Sequence, residues 1–103
     1  MKWLDKLYVR NISNVEKTKW KIEHGAGLVE VYVIVLAEQP GALLEIYPSY
    51  TLMQKWNHNK DFRIVGLSRG YITTMELVRT IMEDIYRETG AFQVQTYFEE
   101  NAS

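Results

Sequence analysis

Residues 62–90 read FRIVGLSRGYITTMELVRTIMEDIYRETG, and this segment gives the clearest prediction of secondary structure in the chain. Its second half predicts an amphipathic helix near residues 74–88. Thr73 and Glu76 form an S/T-x-x-E capping box at its start, and Gly90 is the left-handed residue expected just past its end. The apolar residues at helical spacing, which we expect to face the core, are Met75, Leu77, Val78, Ile81, Met82, Ile85 and Tyr86. The charged residues of the other side are Glu76, Arg79, Glu83, Asp84 and Arg87.

Two segments with strand character flank this helix. Residues 62–67 form a short β-prone run, and residues 92–98 alternate between apolar and polar side chains. The alternation places on one side Phe92, Val94, Thr96 and Phe98. A strand, an amphipathic helix and a second strand in this order predict a right-handed β-α-β unit with the helix on one face of the sheet.

An antiparallel meander is predicted upstream of this unit. Residues 28–37 are strongly β-prone, and a Gln39-Pro40-Gly41 turn leads into residues 42–47. With a loop over residues 38–41, the expected pairs are Ala37 with Ala42, Val35 with Leu44, and Val33 with Ile46. One face of this pair is apolar throughout, so we expect it to lie under the helix.

Residues 17–24 precede the meander and also alternate. Their two sides are Thr18, Trp20, Ile22 and His24, and Lys17, Lys19, Lys21 and Glu23. A Gly25-Ala26 turn is the favoured connection, because it pairs Lys21 with Glu30 and places glycine first in a type II′ turn. An Ala26-Gly27 turn keeps the same faces but sets Glu23 against Glu30.

Two further segments leave alternatives open. Residues 3–12 fit a short helix or an edge strand, and residues 49–57 fit one or two helical turns with Ser49 as the cap. We therefore expect residues 1–103 to form a single two-layer α+β domain. Its sheet would be mostly antiparallel with about five strands, and one main helix would pack on one face. Folds of this kind carry many unrelated functions.

Composition excludes several classes of protein. The chain has 103 residues, of which 47% are hydrophobic, enough for one core. It has no cysteine, which excludes disulfides, thiolate zinc sites and cysteine nucleophiles. Its net charge of −1 lacks the basic excess of proteins that bind nucleic acid or anionic membranes, so we expect neither as a partner.

The charge pattern predicts a location in the cytoplasm. Asp5, Lys6 and Arg10 interrupt any apolar run at the N-terminus, which argues against a signal peptide. The longest apolar stretch, residues 31–37, is far shorter than the ~20 residues that span a bilayer.

The loop before the main helix is a candidate anion or small-ligand site made of Ser68, Arg69, Gly70 and Thr73. Helix N-termini bind anions through free N–H groups, and Arg69 would add a charge-assisted hydrogen bond. The pattern is not a Walker motif, and Glu76 of the capping box would occupy the same helix end. The same residues also suit a plain turn and helix cap.

The sheet face away from the helix is a candidate interaction face. Its residues would be Lys19, Lys21, Tyr32, Ile34, Glu45 and Tyr47. Three Trp, seven Tyr and three Phe are many for a core of this size, so we expect some rings at the surface. Exposed aromatic residues flanked by charges are typical of protein interfaces.

The sequence nominates no catalytic residue, metal ligand or cofactor. His24 and His58 lack metal-binding spacing, and no nucleophile motif is present. We therefore expect a small non-catalytic protein-interaction domain that associates weakly with itself or with another protein. The alternatives are a small-molecule or anion-binding domain centred on Arg69, and a small enzyme that uses one of the histidines.

Overall fold

A mixed β-sheet forms the centre of the molecule in the computed structural model, which describes residues 1–37, 43–53 and 62–100. The described residues form four strands: β1 (Lys2–Arg10), β2 (Val31–Leu36), β3 (Leu44–Pro48) and β4 (Arg63–Arg69). They lie in the order β1-β4-β2-β3. β1 is parallel to β4, whereas β2 is antiparallel to both of its neighbours.

Helices cover both faces of this sheet. The described residues form α1 (Val15–Glu23), α2 (Tyr71–Thr89), α3 (Val94–Glu100) and a 3-10 helix (Ser49–Met53). One buried cluster joins α2 and α3 to the sheet, and a second joins α1 and the 3-10 helix to the opposite face. The predicted α+β class is confirmed. The two-layer arrangement, the fifth strand and the single main helix are wrong within the described residues.

α1 occupies the segment predicted as the strand over residues 17–24. Asn14 caps it, because its side chain accepts a hydrogen bond from the Lys17 N–H at 3.0 Å. Gly25 follows the helix with φ +82°, the left-handed conformation that glycine adopts most easily. Both hairpin turns considered for residues 25–27 are therefore wrong. In the helix the alternating residues do not share a side, because Ile22 is buried while Trp20 is 59% exposed.

α3 replaces the last predicted strand, so the proposed β-α-β unit is also wrong. Val94, Tyr97 and Phe98 are buried, which is the i, i+3, i+4 spacing of a helix that packs on one side. Phe92 precedes the helix and is 52% exposed. The parallel pairing in the sheet comes instead from β1, which confirms the edge-strand alternative for residues 3–12.

The register of β2 with β3 differs by one residue from the prediction. Val35 pairs with Glu45, and Ile34 pairs with Ile46. Val31, Val33 and Val35 pack against α1 and the 3-10 helix, while Ile34 and Leu36 lie beneath α2 and α3. The prediction that the valine face lies under the main helix is therefore wrong, because both faces of β2 are apolar and either can be covered by it. The predicted turn at residues 39–41, and Ala42, lie outside the described residues.

Both ends of α2 depart somewhat from the predicted range. The helix begins at Tyr71 with Gly70 as its N-cap and no side-chain cap, so the proposed capping role of Thr73 is wrong. Gly90 ends it as predicted, in the left-handed conformation at φ +73°. Its buried residues are Thr74, Leu77, Ile81 and Ile85. No helix within the described ranges combines the length and apolarity needed to cross a membrane.

A hydrogen-bonded tyrosine joins β1 to both helices of the α2 face. The Tyr8 hydroxyl donates to Asp84 Oδ2 at 2.8 Å and lies 2.7 Å from the Tyr97 hydroxyl. Burial, together with Tyr97 and Asp84, raises the pKa of Tyr8 well above its ordinary value. Tyr8 is therefore neutral in the folded chain at neutral pH, and it positions α3 against α2.

Replacing Tyr8 with phenylalanine should lower the free energy of unfolding by about 1–3 kcal/mol, because Asp84 and Tyr97 lose a partly buried hydrogen-bond partner. Urea denaturation measures this loss. Tyr86→Phe, at a tyrosine that is 55% exposed, should change stability by less than about 0.5 kcal/mol. Since the pKa of Tyr8 is higher in the folded chain, its contribution is lost above about pH 10, and the phenylalanine variant should lose stability less steeply there. Equal effects of the two variants would contradict the bridging role.

Candidate interaction surface

The residues predicted to share an open sheet face do not lie together. Lys19 and Lys21 are on α1, and Ile34 is fully buried beneath α2. Tyr32 lies on the sheet with its ring 5.7 Å from that of Tyr71, measured between ring centroids. The proposed common face is therefore wrong, because α1 is a helix and the other face of the sheet is covered.

Glu45 and Tyr47 make their contacts within the protein. The Tyr47 hydroxyl donates to Glu45 Oε2 along β3. The ring of Tyr47 lies 5.4 Å from that of Phe62, centroid to centroid, in the cluster beneath α1. Both side chains are only partly exposed, so they offer little area to a partner.

The candidate anion site is assembled differently from its prediction. The Gly70 N–H already donates to the Glu30 carbonyl at 2.7 Å, and the Arg69 guanidinium donates to the Val29 carbonyl at 3.2 Å. Thr73 lies within the first turn of α2 instead of at its cap. These contacts tie the loop to the segment before β2, and they use groups that an anion would need.

Ser68 is fully buried, and its Oγ has no hydrogen-bond partner within the described residues. Ser68 pairs with Arg10 and Tyr32 on the neighbouring strands, across the middle of the sheet. Tyr8, two residues before Arg10, contacts α2 and α3. Side chains two residues apart share a face, so Ser68 lies under α2 and not in the exposed loop. The ligand role of these four residues stays a prediction.

The described residues include His24, one of the two histidines considered for catalysis. His24 stacks on Trp20 with ring centroids 4.0 Å apart, and its Nδ1 lies 2.8 Å from the Trp20 carbonyl. His58 lies outside the described residues. Within residues 1–37, 43–53 and 62–100, no group of three His, Asp or Glu side chains could hold a metal ion.

A groove beside α1 is lined by both charged and aromatic side chains. Its volume is about 370 Å³. Trp3 Nε1 donates to Glu23 Oε1 at 2.6 Å, and the Lys19 ammonium lies 5.4 Å from the centroid of the Trp3 ring. The chain's own ammonium group thus occupies the cation-π position over Trp3. The charged and aromatic groups that line this groove are thus engaged with one another.

The outer side of α2 carries a second apolar stripe. We name as the α2 stripe Ile72, Met75, Met82, Tyr86 and Phe92. Ile72 is 70% exposed, Met75 43% and Tyr86 55%, although each is large and apolar. A helix needs one apolar side for its own core. α2 has that side in Leu77, Ile81 and Ile85, so the α2 stripe is additional.

The stripe follows the spacing of a helix-packing seam. Ile72, Met75, Arg79, Met82 and Tyr86 are separated alternately by three and four residues. At the C-terminal end, the Tyr86 and Phe92 rings lie with centroids 5.3 Å apart. They line a groove of about 430 Å³ together with Arg79, Met82, Glu83 and Arg87. This surface can bury the apolar side of another helix.

The sequence prediction assigned Met75 and Tyr86 to the core side of the helix, and it missed the stripe for that reason. Met82 packs against the core cluster as predicted and is the half-buried member of the stripe. An α2 register that buries Leu77, Ile81 and Ile85 leaves Met75 and Tyr86 outside. The sequence did carry a signal for the stripe, because the seven apolar residues assigned to the core side spread over about half of the helix circumference, more than one buried side needs.

No match emerges when the chain is compared with the models of protein families, with the curated proteins or with the solved structures. Its function is therefore argued from its own residues.

Proposed function

We propose that this chain is a small non-catalytic protein-interaction domain that binds its partner through the α2 stripe. The observation that carries the proposal is the exposure of four large apolar side chains, Ile72, Met75, Tyr86 and Phe92, along one side of α2 and just past its C-terminal end. Contiguous exposed apolar patches mark interaction sites more often than scattered ones do.

The residue types of this surface support a protein partner. Tyr86, Phe92 and the two methionines belong to the types enriched in interface cores, and arginine is enriched there as well. Arg79, Glu83 and Arg87 surround the apolar groove as a charged rim. A nucleic acid is a poorer fit, because the rim mixes both signs and the whole chain has a net charge of −1.

The alternative functions have less support. An anion at the start of α2 would compete with the internal contacts of Arg69 and Gly70. An enzyme would need a base or nucleophile, and His24 is stacked on Trp20. The proposal needs no cofactor, and a cytoplasmic location remains the prediction made from the sequence.

A photo-crosslinking amino acid tests the proposal when it replaces Tyr86 in cells. We expect covalent adducts to protein at position 86, because the side chain would lie inside the interface. Tyr50, which is 57% exposed on the 3-10 helix of the opposite face, is the matched control and should give none. Adding Phe92→Ser should reduce the yield at position 86, since a central aromatic contact contributes about 2 kcal/mol or more.

Two results would contradict the proposal. One is the absence of protein adducts at position 86 in soluble extracts that contain the folded domain. The other is an equal adduct yield at positions 50 and 86, which indicates random collision.

A further inference from the structure

Charged residues alternate in sign along this side of α2, with Arg79 within the seam of the α2 stripe and the others beside it. Nearest the stripe, from the N-terminal to the C-terminal end, they are Glu76, Arg79, Glu83 and Arg87, while Asp84 lies farther round the helix, where it already forms an ion pair with Arg87. Arg79 and Glu83 already form an ion pair with Nε 3.0 Å from Oε1, and their side chains are 83% and 62% exposed. Read from the other end of the helix, the same four positions run positive, negative, positive, negative. Each charge therefore faces a charge of opposite sign when two copies of the helix run in opposite directions.

This order has a geometric consequence for two copies of α2 that pack antiparallel through a two-fold axis. In such a pair the same edge of each helix meets itself in reverse order. Glu76 then lies opposite Arg87 of the second copy, and Arg79 opposite its Glu83. Both pairings place the axis at nearly the same point, beside Ile81. A parallel pair would set this charged edge against the opposite, largely uncharged edge.

The apolar residues fit the same axis. Met82 lies beside the axis, where it would contact its own copy, and Met75 lies opposite Tyr86 of the second copy. Ile72, near the start of α2, would face the end at which Phe92 packs on Tyr86. One placement of the two-fold axis thus satisfies both the charges and the apolar side chains.

Resting on the proposed function, we infer that the partner bound by the α2 stripe is a second copy of this chain, held as an antiparallel α2–α2 pair. The charged positions, from Glu76 to Arg87, span only about 16 Å of helix, at 1.5 Å per residue. We expect one helix pair of this length to bury less surface than stable interfaces do, which bury about 1,200–2,000 Å² in total. The dimer should therefore dissociate on dilution.

The test uses two single charge reversals of the full chain, Arg79→Glu and Glu83→Arg. Each reversal alone sets like charges opposite each other twice across the axis. An equal mixture restores both opposite-charge contacts, because the glutamate introduced at position 79 of one chain meets the arginine introduced at position 83 of the other. The unfavourable pair within each helix remains in the mixture, so a change in helix stability cannot produce this rescue.

Sedimentation velocity at low salt, between roughly 10 µM and 1 mM, measures the association over the range expected of a weak dimer. We expect a wild-type dimer, on the order of tenfold weaker association for each variant alone, and wild-type association in the mixture. Lys17→Glu and Glu16→Arg are the controls, since they alter net charge equally at exposed positions on α1. These should associate like the wild type, alone and mixed.

Three results would each overturn the antiparallel pair. The wild type could be monomeric at the highest concentration, or the single variants could associate as strongly as the wild type. The mixture could also associate no more strongly than each variant alone. Crosslinked adducts at position 86 that contain a different protein would leave the interaction function standing while this inference fails. Absence of all adducts removes the proposed function as well.

Discussion

Phe98→Ala should remove a large part of the stability of the folded chain, whereas Phe92→Ala should leave its stability nearly unchanged. Phe98 is fully buried among Tyr8, Tyr97 and the core of α2, and Phe92 is 52% exposed. Truncating a buried phenylalanine costs about 3–5 kcal/mol, a large part of the roughly 5–15 kcal/mol that stabilises a domain. The exposed site should lose less than about 1 kcal/mol.

The comparison separates two conformations of the C-terminal segment. In a strand, Phe92 and Phe98 share a side and would have similar effects. In α3 only Phe98 is buried, so the effects differ by several kcal/mol. Urea denaturation monitored by far-UV circular dichroism measures both variants, and low protein concentration removes any contribution from association. Similar losses for the two alanine variants would contradict the helix.

The elements predicted correctly are those whose pattern has one interpretation. α2 carries apolar residues over five turns and ends at Gly90, and no strand accommodates that spacing. β2 and β4 are runs of β-branched and apolar residues bounded by turn signals. Long or strongly β-prone segments therefore reveal their type without tertiary information.

The short segments fail because two periods fit them equally well. Phe92, Val94 and Phe98 alternate, but Val94, Tyr97 and Phe98 also have helical spacing. Contact with Leu4 and Ile85 in one buried cluster decides between them, and such contacts are not local. α1 was more accessible to prediction, because Asn14 is a favoured N-cap residue and Gly25 a favoured stop.

The candidate surface was missed for a related reason. Exposed apolar residues were expected, but on the sheet at Tyr32 and Tyr47. Because of a one-residue error in the β2–β3 register, Tyr32 and Tyr47 were placed on the same face of the sheet, whereas they lie on opposite faces. Both of these faces are covered by helices. Exposed apolar side chains instead follow α2, whose sequence pattern allows either of two apolar sides to face inward.

Gly66→Ala should destabilise the centre of the sheet by about 1–3 kcal/mol, because an added methyl group has no room there. A Cβ atom at Gly66 would lie 2.7 Å from Ile34 Cδ1 and 3.0 Å from Ile34 Cβ on the neighbouring strand. Ile34 is itself fully buried beneath α2 and cannot turn away into solvent. Glycine is needed here for close packing, since its φ is not in the left-handed region.

Shortening Ile34 tests whether this contact causes the loss. Ile34→Val removes Cδ1, the atom nearest to the added methyl group, and alone it should lower stability by about 0.5–1.5 kcal/mol. In the double variant the two changes compensate, so the total loss should be smaller than the sum of the single losses by about 0.5 kcal/mol or more. Chemical denaturation of the four proteins in the cycle measures the coupling. Simple additivity would mean that the alanine acts through the backbone, and the steric account of Gly66 would then be wrong.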